Sequence, residues 1–195
     1  METRERLITI TQALLWERGY VGTSPKAIQQ RSGVGQGSMY HHFSGKPDLA
    51  LAAIQRCAEQ IKAFTEERLS APGTAFTRIE SFLMQERQVL QGCQLGRLTA
   101  DPEIVANPAL LQPVTDTFVW QQARLAEVLT EGKANGEFAA ELDVAATAAT
   151  IAGVVQGGYV LAKAAGSDAP YFSVVRGFLG ILALSAKRTI TPREG

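Results

Sequence analysis

Residues 23–46, with the sequence TSPKAIQQRSGVGQGSMYHHFSGK, predict two short helices separated by a glycine turn. Ser24 and Pro25 suit the start of the first helix, because the serine hydroxyl can accept an unpaired backbone N–H and proline tolerates the first turn. Gly33 stands where the chain must reverse in a left-handed conformation, and Val34 can fill the space beneath the turn. Two short helices joined in this way are typical of a helix-turn-helix DNA reader.

The second of these helices is predicted to begin near Gln36. Met39 and Phe43 are four residues apart, so they share one face of the helix and are expected to point into the core. The outward set is then small, polar and aromatic, which lets a helix backbone approach DNA closely. It consists of Gln36, Gly37, Ser38, Tyr40 and His41.

The order of these residues resembles the DNA-binding signature of the TetR family of transcriptional regulators. One position departs from a common helix-turn-helix pattern, because Gln29 stands where an alanine often precedes the turn glycine by four residues. The likeness covers about the first quarter of the chain. Its matching positions are Leu7, Ala13 to Trp16, Gly19-Tyr20, Thr23-Ser24, Gly33-Val34, Gly37-Ser38, Tyr40, His42-Phe43 and Lys46.

The resemblance implies an all-α fold with two parts. Residues 1–46 would form a three-helix DNA-binding domain, and residues 47–195 a helical domain that binds an effector and pairs two subunits. Pairing would use the last two long helices, and the effector cavity would lie among the central helices.

The resemblance also implies roles for individual residues of the reader. Gln36 and Gly37 match positions that approach base edges, and a glutamine can pair its amide with adenine. The positions expected to hold phosphates are Thr23, Ser38, Tyr40, His41 and Lys46.

Each of these roles has a plainer alternative. Gln36 could be only an exposed residue at a helix start, and Tyr40 a partly buried core aromatic with a solvated hydroxyl. Lys46 stands at a helix start, where the dipole disfavours a cation, so we expect an external anion such as phosphate beside it. His42 is expected to pack behind the motif.

The hydrophobic pattern is helical along the whole chain, and no convincing strand is predicted. Glycines and prolines mark the breaks, with residues 92–113 predicted to hold a short helix and an ordered loop. The predicted longer helices cover residues 3–18, 46–69, 76–91, 114–133, 143–165 and 170–187.

Composition agrees with a regulator that works in a reducing cytoplasm. The formal net charge is zero, but the first 48 residues carry six Lys or Arg against four Asp or Glu. Cys57 and Cys93 lack the spacing of a disulfide framework or zinc site, and His41 and His42 diverge too far on a helix to share a metal. We therefore predict no metal and no cofactor.

No targeting segment is predicted. The first residues are too charged for a secretory signal. Residues 144–162 carry no charge and nearly reach the length of a membrane span, but Ala, Gly and Thr dominate there and Gln156 interrupts the run. A closely packed helix of a soluble protein is the better interpretation.

The C-terminal part supplies candidates for the effector site and the dimer interface, although core packing is the alternative for each residue. Small residues on the penultimate helix and an apolar stripe on the last favour a symmetric dimer. The effector candidates are Phe82, Cys93, Phe118, Trp120, Gln156 and Tyr159. The dimer candidates are Ala149, Gly153, Gly157, Val175, Phe178 and Leu182.

Cys93 has two interpretations. In some relatives of the family a cysteine in this neighbourhood reacts with oxidants or electrophiles, and Arg97 could favour a thiolate if the segment is helical. A free cysteine beside glycines is more commonly a small packed residue, and this is the outcome we expect.

The sequence favours binding over catalysis. It has no phosphate-binding glycine loop after a strand and no His-Glu-x-x-His motif, and both histidines lie inside the reader. No catalytic residue is predicted. The expected function is a repressor that a small-molecule effector releases from operator DNA, and the alternative is an all-helical carrier or adaptor that does not bind DNA.

Overall fold

The computed structural model describes residues 2–185, and that range is all-α, as predicted. A short 3-10 turn, Val89–Gln91, joins two of the helices, and no β-strand occurs in the described range. The helices are α1 (Thr3–Arg18), α2 (Pro25–Ser32), α3 (Gln36–His42), α4 (Lys46–Leu69), α5 (Ala75–Met84), α6 (Gln94–Leu98), α7 (Pro102–Val105), α8 (Pro108–Ala134), α9 (Val144–Ala165) and α10 (Ala169–Leu184).

The predicted bounds of α1 and α4 are confirmed, and α9 begins one residue later than predicted. Asp143 caps α9 by accepting the backbone N–H of Ala146 at 2.9 Å, and Gly166 ends it with a φ of 63°. Helix punctuation in the sequence therefore located these ends correctly. The predicted end of the last helix at Lys187 lies outside the described residues.

The predicted helix over residues 76–91 is wrong in its second half, because α5 ends at Met84. Gln85 leaves the helical conformation with a ψ of 152°. The guanidinium of Arg87 folds back and donates to the carbonyl oxygen of Phe82, in the last turn of α5. A side chain that satisfies a terminal carbonyl stabilises a helix end that the hydrophobic pattern did not mark.

The prediction that Pro108 and Pro113 would break the chain before α8 is also wrong. Asn107 accepts the N–H of Ala109 at 3.1 Å, and Pro108 occupies the first helical position, where a missing N–H costs nothing. Pro113 lies in the second turn and removes one backbone donor, and α8 continues through it.

The described chain divides into two compact units. The first contains the residues up to Phe64 together with Gln88–Val119. Its core joins α1 to α4 with apolar residues of the later segment, including Leu95, Leu98, Ile104, Leu110 and Val114. The DNA reader therefore shares one core with a segment that follows it by more than forty residues.

The second unit contains Thr65–Arg87 and the residues from Trp120 onward. Its helices α9 and α10 pack side by side, and Gly158 permits their close approach. A Cβ at Gly158 would lie 2.8 Å from the ring of Tyr171, which is fully buried. This division into compact units does not test the predicted domain boundary between residues 46 and 47, which stays a prediction.

Candidate DNA-binding surface and effector region

Local capping interactions set the ends of the first helix of the helix-turn-helix. Ser24 Oγ accepts the backbone N–H of Ala27 at 3.1 Å, and α2 then begins at Pro25. Gly33 ends α2 with a φ of 67° and donates its N–H to the carbonyl of Gln29 at 2.9 Å. The sequence signals for cap, helix start and left-handed turn are confirmed.

A small apolar layer fixes α2 against α3. Ile28, Val34, Met39 and Phe43 are all buried in the core of the first unit. Gln29, which stands where an alanine is common, is partly buried, and its Nε2 lies 3.9 Å from Met39 Sδ. The longer side chain is thus accommodated between the two helices.

The opposite face of α3 is open to solvent. Tyr40 is 47% exposed, which is unusual for a large aromatic side chain and suits a surface that meets another molecule. His42 is partly buried, as expected, and its ring lies 5.2 Å from that of His41. The predicted outward orientation is confirmed for Gln36, Gly37, Ser38, Tyr40 and His41.

Thr23 differs from the other predicted phosphate contacts, because it is buried. Its hydroxyl donates to the carbonyl oxygen of Gly19 at 2.7 Å, and its backbone N–H donates to Tyr20 at 3.0 Å. These bonds tie the turn between α1 and α2. Direct contact between this hydroxyl and a phosphate stays a prediction.

Lys46 has a partner within the protein. Its Nζ lies 3.8 Å from the centroid of the Tyr20 ring, a cation–π contact that accounts for a cation at the first residue of α4. The helix-dipole argument for an external anion therefore loses its force. The phosphate role of Lys46 stays a prediction that rests on its position in the motif.

The six effector candidates are divided between the two units. Cys93 and Phe118 belong to the first unit, where Phe118 packs against the core that contains the reader. Phe82, Trp120, Gln156 and Tyr159 belong to the second unit. Phe82 is buried there, and the other three are partly buried.

Arg87 brings two of these candidates together, and the sequence analysis missed it. Its Nη1 donates to the hydroxyl of Tyr159 at 3.2 Å, and its guanidinium carbon lies 5.1 Å from the centroid of the Phe82 ring. The rings of Tyr159 and Tyr171 are 5.2 Å apart. In sequence, Arg87 looked like a charged residue on an amphipathic helix, and nothing in that pattern predicts an aromatic cluster around it.

The two cysteines lie in different surroundings within the first unit. Cys57 is buried, and this burial, with a smaller contribution from the neighbouring Cys93, raises the pKa of its thiol to about 12. Cys93 is partly exposed, and its Sγ accepts the N–H of Gly96 at 3.2 Å as the N-cap of α6. A small depression of about 10 Å³, room for about one water molecule, adjoins Cys57. It is lined by Gln12, Leu15, Trp16, Ala53, Ile54, Cys57, Gln94, Leu95 and Leu98.

The dimer candidates divide into an exposed and a buried set. Ala149, Gly153 and Gly157 are exposed on α9, whereas Val175, Phe178 and Leu182 are buried inside the second unit. On the described parts of α9 and α10, the exposed large apolar residues were not among the predicted interface residues. These are Val160, Leu161, Ile181 and Leu184.

Comparison with known families assigns both parts of the chain. Residues 7–53 match the family described as "Bacterial regulatory proteins, tetR family". Residues 66–178, more than half of the chain, match the "Tetracyclin repressor-like, C-terminal domain". The chain belongs to the TetR family. All seven predicted DNA-binding residues of this TetR-family protein lie within the first match, and all six effector candidates lie within the second.

Curated relatives of this TetR-family protein are transcriptional regulators. The repressor KstR of Mycolicibacterium smegmatis is 27% identical over 64% of this chain and 54% of its own length. The regulator LmrA of Bacillus subtilis is 27% identical over 55% of this chain and 61% of its own. The chain thus spans about half to three fifths of the length of these relatives.

Solved structures support the same fold over nearly the whole chain. A TetR-family regulator from Cytophaga hutchinsonii is 21% identical, has a TM-score of 0.85 and covers 96% of both chains. A TetR regulator from Chloroflexus aurantiacus is 25% identical, also has a TM-score of 0.85, and covers 94% of this chain and 96% of its own.

Helix α9 is long and apolar enough to cross a membrane by length and composition, with a mean hydropathy of 1.5 over its most apolar window. Core helices of soluble proteins pass the same test, so a single such helix is weak evidence for a span.

Proposed function

We propose that this chain is a transcriptional repressor that binds operator DNA as a homodimer and is released by a small-molecule effector. The single observation that carries the proposal is the face of α3. A polar and aromatic surface is exposed to solvent above a buried apolar layer, at the position where helix-turn-helix proteins enter the major groove.

On this surface, Gln36 and Gly37 approach base edges, and the flanking side chains hold phosphates. Gly37 has no side chain, which leaves room for the helix backbone to approach DNA. Packing among residues 2–185 does not require a glycine there, because a Cβ would meet no atom of another described element within 4 Å. Gln36 supplies the hydrogen-bonding edge that reads one base pair. The proposed phosphate contacts are Thr23, Ser38, Tyr40, His41 and Lys46.

Dimerisation uses the exposed face of α9 and α10. Gly153, Gly157, Gly177 and Gly180 lie within these helices, and a Cβ at any of them would meet no atom of another element of residues 2–185 within 4 Å. A glycine inside a helix costs about 1 kcal/mol relative to alanine, and no contact among the described residues accounts for that cost at these positions. A second copy whose helices seat against the glycines offsets it.

The exposed apolar side chains beside these glycines extend the same surface. Ile181 is 68% exposed, and Val160, Leu161 and Leu184 are also exposed. Burial of these side chains against a symmetry-related copy provides the hydrophobic gain that a two-fold interface needs. The two readers of the dimer then address successive major grooves, about 34 to 36 Å apart.

The effector is a small apolar or aromatic molecule bound by the C-terminal part of the chain. Phe82, Trp120, Gln156 and Tyr159 are its proposed contacts in the second unit. Cys93 and Phe118 stay separate candidates in the first unit. Effector binding shifts α4 and changes the spacing of the two readers, so that both half-sites can no longer be bound at once. This function needs no catalytic residue, metal or cofactor, and it operates in the cytoplasm, where the operator is accessible.

Selection of bound sequences from a random DNA pool tests the proposal. We expect the full-length protein to enrich a sequence with two-fold symmetry and half-sites about one helical turn apart. A triple variant, Gln36→Ala with Ser38→Ala and Tyr40→Ala, changes only exposed side chains and serves as the matched control. Equal recovery of random DNA by both proteins would contradict the proposal and favour a carrier or adaptor.

A further inference from the structure

The segment Gln88–Val119 is attached to the DNA reader by polar bonds as well as by the shared apolar core. Trp16 Nε1 donates to the carbonyl oxygen of Gly92 at 3.0 Å, and Gln12 Nε2 donates to Gln94 Oε1 at 3.0 Å. Both donors lie in the second half of α1, so these bonds attach the segment to the C-terminal half of that helix.

The strongest of these attachments is made by Asp101, which is only 8% exposed. Its Oδ2 accepts the backbone N–H groups of Tyr20 at 2.7 Å and of Val21 at 2.9 Å. Its Oδ1 accepts those of Glu103 at 3.1 Å and of Ile104 at 3.4 Å, as the N-cap of α7. One carboxylate therefore binds the turn after α1 and the start of α7 at the same time.

The fit around the carboxylate is close. A Cβ built on Gly19 would lie 3.0 Å from Asp101 Oδ2, and Gly19 has a φ of 74°, in the region that favours glycine. The same turn is closed by Thr23, whose hydroxyl donates to Gly19 and whose N–H donates to Tyr20. Two residues after Thr23 α2 begins, so the turn that Asp101 binds leads directly into the helix-turn-helix.

Asp101 accepts more hydrogen bonds than a helix cap requires. A cap needs one acceptor oxygen, which serine or asparagine also provides. A buried carboxylate is costly unless hydrogen bonds compensate its charge, and here backbone N–H groups of two distant segments supply that compensation. The second oxygen is accounted for only by the turn between α1 and α2.

We propose that Asp101 is the positioning residue through which movement of the 88–119 segment is transmitted to the DNA reader. Through the turn at Tyr20 and Val21, it sets the orientation of α2 and α3 relative to that segment. The inference rests on the proposed function. Besides the proposed displacement of α4, it gives a second route by which effector binding changes the DNA reader. A ligand that shifts the segment would release or redirect the reader through this carboxylate.

Asp101→Ser separates this role from capping. Serine retains the cap of α7 but is too short to reach the turn. The matched control is Asp143→Ser, which alters the aspartate cap of α9 in the other unit. Asp101→Asn, which keeps the side-chain length and one acceptor oxygen, is a second variant if the serine protein folds poorly.

The first measurement is amide hydrogen exchange and chemical shift by NMR, without DNA. For Asp101→Ser we expect the amide exchange rates of Tyr20 and Val21 to rise by about tenfold or more, because charge-assisted bonds to two amides are lost. We also expect the chemical shifts of the α3 amides to change. Asp143→Ser should leave all these amides unchanged. If the α3 chemical shifts were unaltered in both Asp101 variants, Asp101 would stabilise only the local turn, and the proposal would be overturned.

The second measurement is affinity for the selected operator as a function of salt. Asp101→Ser should bind about tenfold more weakly with an unchanged salt slope, because no phosphate contact is removed. Wild-type affinity in both Asp101 variants would also overturn the proposal while leaving DNA binding intact. If the wild type bound no DNA, the proposed function would fail, and the NMR measurement would still decide whether Asp101 sets the position of α3.

Discussion

Tyr40 shows how a single residue can be tested for a role in DNA binding without disturbing the fold. Its ring is half exposed on α3, next to the exposed His41. Tyr40→Phe removes only the hydroxyl, so we expect about a fivefold loss of affinity on every DNA sequence, equivalent to one hydrogen bond of about 1 kcal/mol. Fluorescence anisotropy with operator and random duplexes measures this, and thermal melting should be unchanged.

Gln36→Ala should behave differently from Tyr40→Phe. A base-reading glutamine contributes about 1 to 3 kcal/mol of discrimination at one base pair and little to nonspecific binding. Affinity for the operator should therefore fall while affinity for random DNA is kept, and operators changed at that one position should bind the variant and the wild type alike. A uniform loss on all sequences would assign Gln36 to the DNA backbone instead.

The two cysteines should differ in reactivity because the thiolate is the reactive form. The pKa of the Cys57 thiol is raised to about 12 by burial, so at pH 8 on the order of one molecule in 10⁴ carries the thiolate there. We expect iodoacetamide to label native protein at Cys93 alone, as detected by mass spectrometry. Cys93→Ser should take up no label until it is unfolded, and rapid native labelling of Cys57 would contradict the assignment.

At the scale of helices, the sequence predicted those whose ends carry strong local signals and missed those whose ends depend on distant or unusual contacts. Ser24, Gly33 and Asp143 act on neighbouring residues, so α2 and α9 were located almost to the residue. The early end of α5 depends on Arg87, whose side chain also bonds Tyr159, 72 positions away. A local hydrophobic pattern cannot predict such a contact.

The same limit applies to the candidate site. The exposed face of α3 follows from the spacing of Met39 and Phe43, and it was predicted correctly. The contact of Lys46 with Tyr20 brings together residues 26 positions apart, and spacing along one helix could not predict it. On α10, the pattern found an apolar helix but could not distinguish the inward Phe178 from the outward Ile181, because both are large and apolar.

Arg124 ties the end of α4 to α8 and should give the protein a defined acid sensitivity. It donates to Glu66 through Nε at 2.8 Å and Nη2 at 3.0 Å, and these bonds lower the pKa of the Glu66 carboxyl. A lowered folded-state pKa stabilises the protein above the unfolded pKa of about 4.3, and the stabilisation is lost as pH falls through the folded pKa. Glu66 is partly solvated, so the effect is below about 1 kcal/mol.

Arg124→Gln should therefore lower the melting temperature at pH 7, and the difference from wild type should shrink as pH falls below about 4. Differential scanning calorimetry across this range measures it. Arg176→Gln, which removes an exposed arginine from the same unit, is the control and should leave the pH profile unchanged. A difference that stayed constant with pH would show that packing of the arginine, rather than the charge of Glu66, stabilises this contact.

For the molecule as a whole, the described structure places residues 88–119 in the same compact unit as the reader. The sequence suggested a boundary after residue 46 because the family signature ends there. The attachment of the later segment depends on Asp101 reaching Tyr20, 81 positions away, and on core packing by residues such as Leu95. The end of a motif and the end of a packed core are different physical features, and only the motif can be recognised in the sequence.

The proposed assembly of two chains gives the last prediction, because in the proposed function two readers held at a fixed spacing bind the operator together. Ile181 is exposed in the single chain, so Ile181→Glu leaves the core of the second unit intact and places a charge in the proposed two-fold interface. We expect sedimentation to show a dimer for the wild type and monomers for the variant, with cooperative melting retained. Operator affinity should fall by about a hundredfold or more, because one reader makes too few contacts alone.

Glu80→Lys is the matched control for this variant. Glu80 is exposed on α5, outside the two helices of the proposed interface, so reversing its charge should leave both dimer and operator binding unchanged. Gly153→Glu, on the exposed face of α9, should reproduce the effect of Ile181→Glu. If both glutamate variants remained dimeric and bound the operator as tightly as the wild type, the subunits would have to pair through another surface, and the four exposed helical glycines would need a different partner.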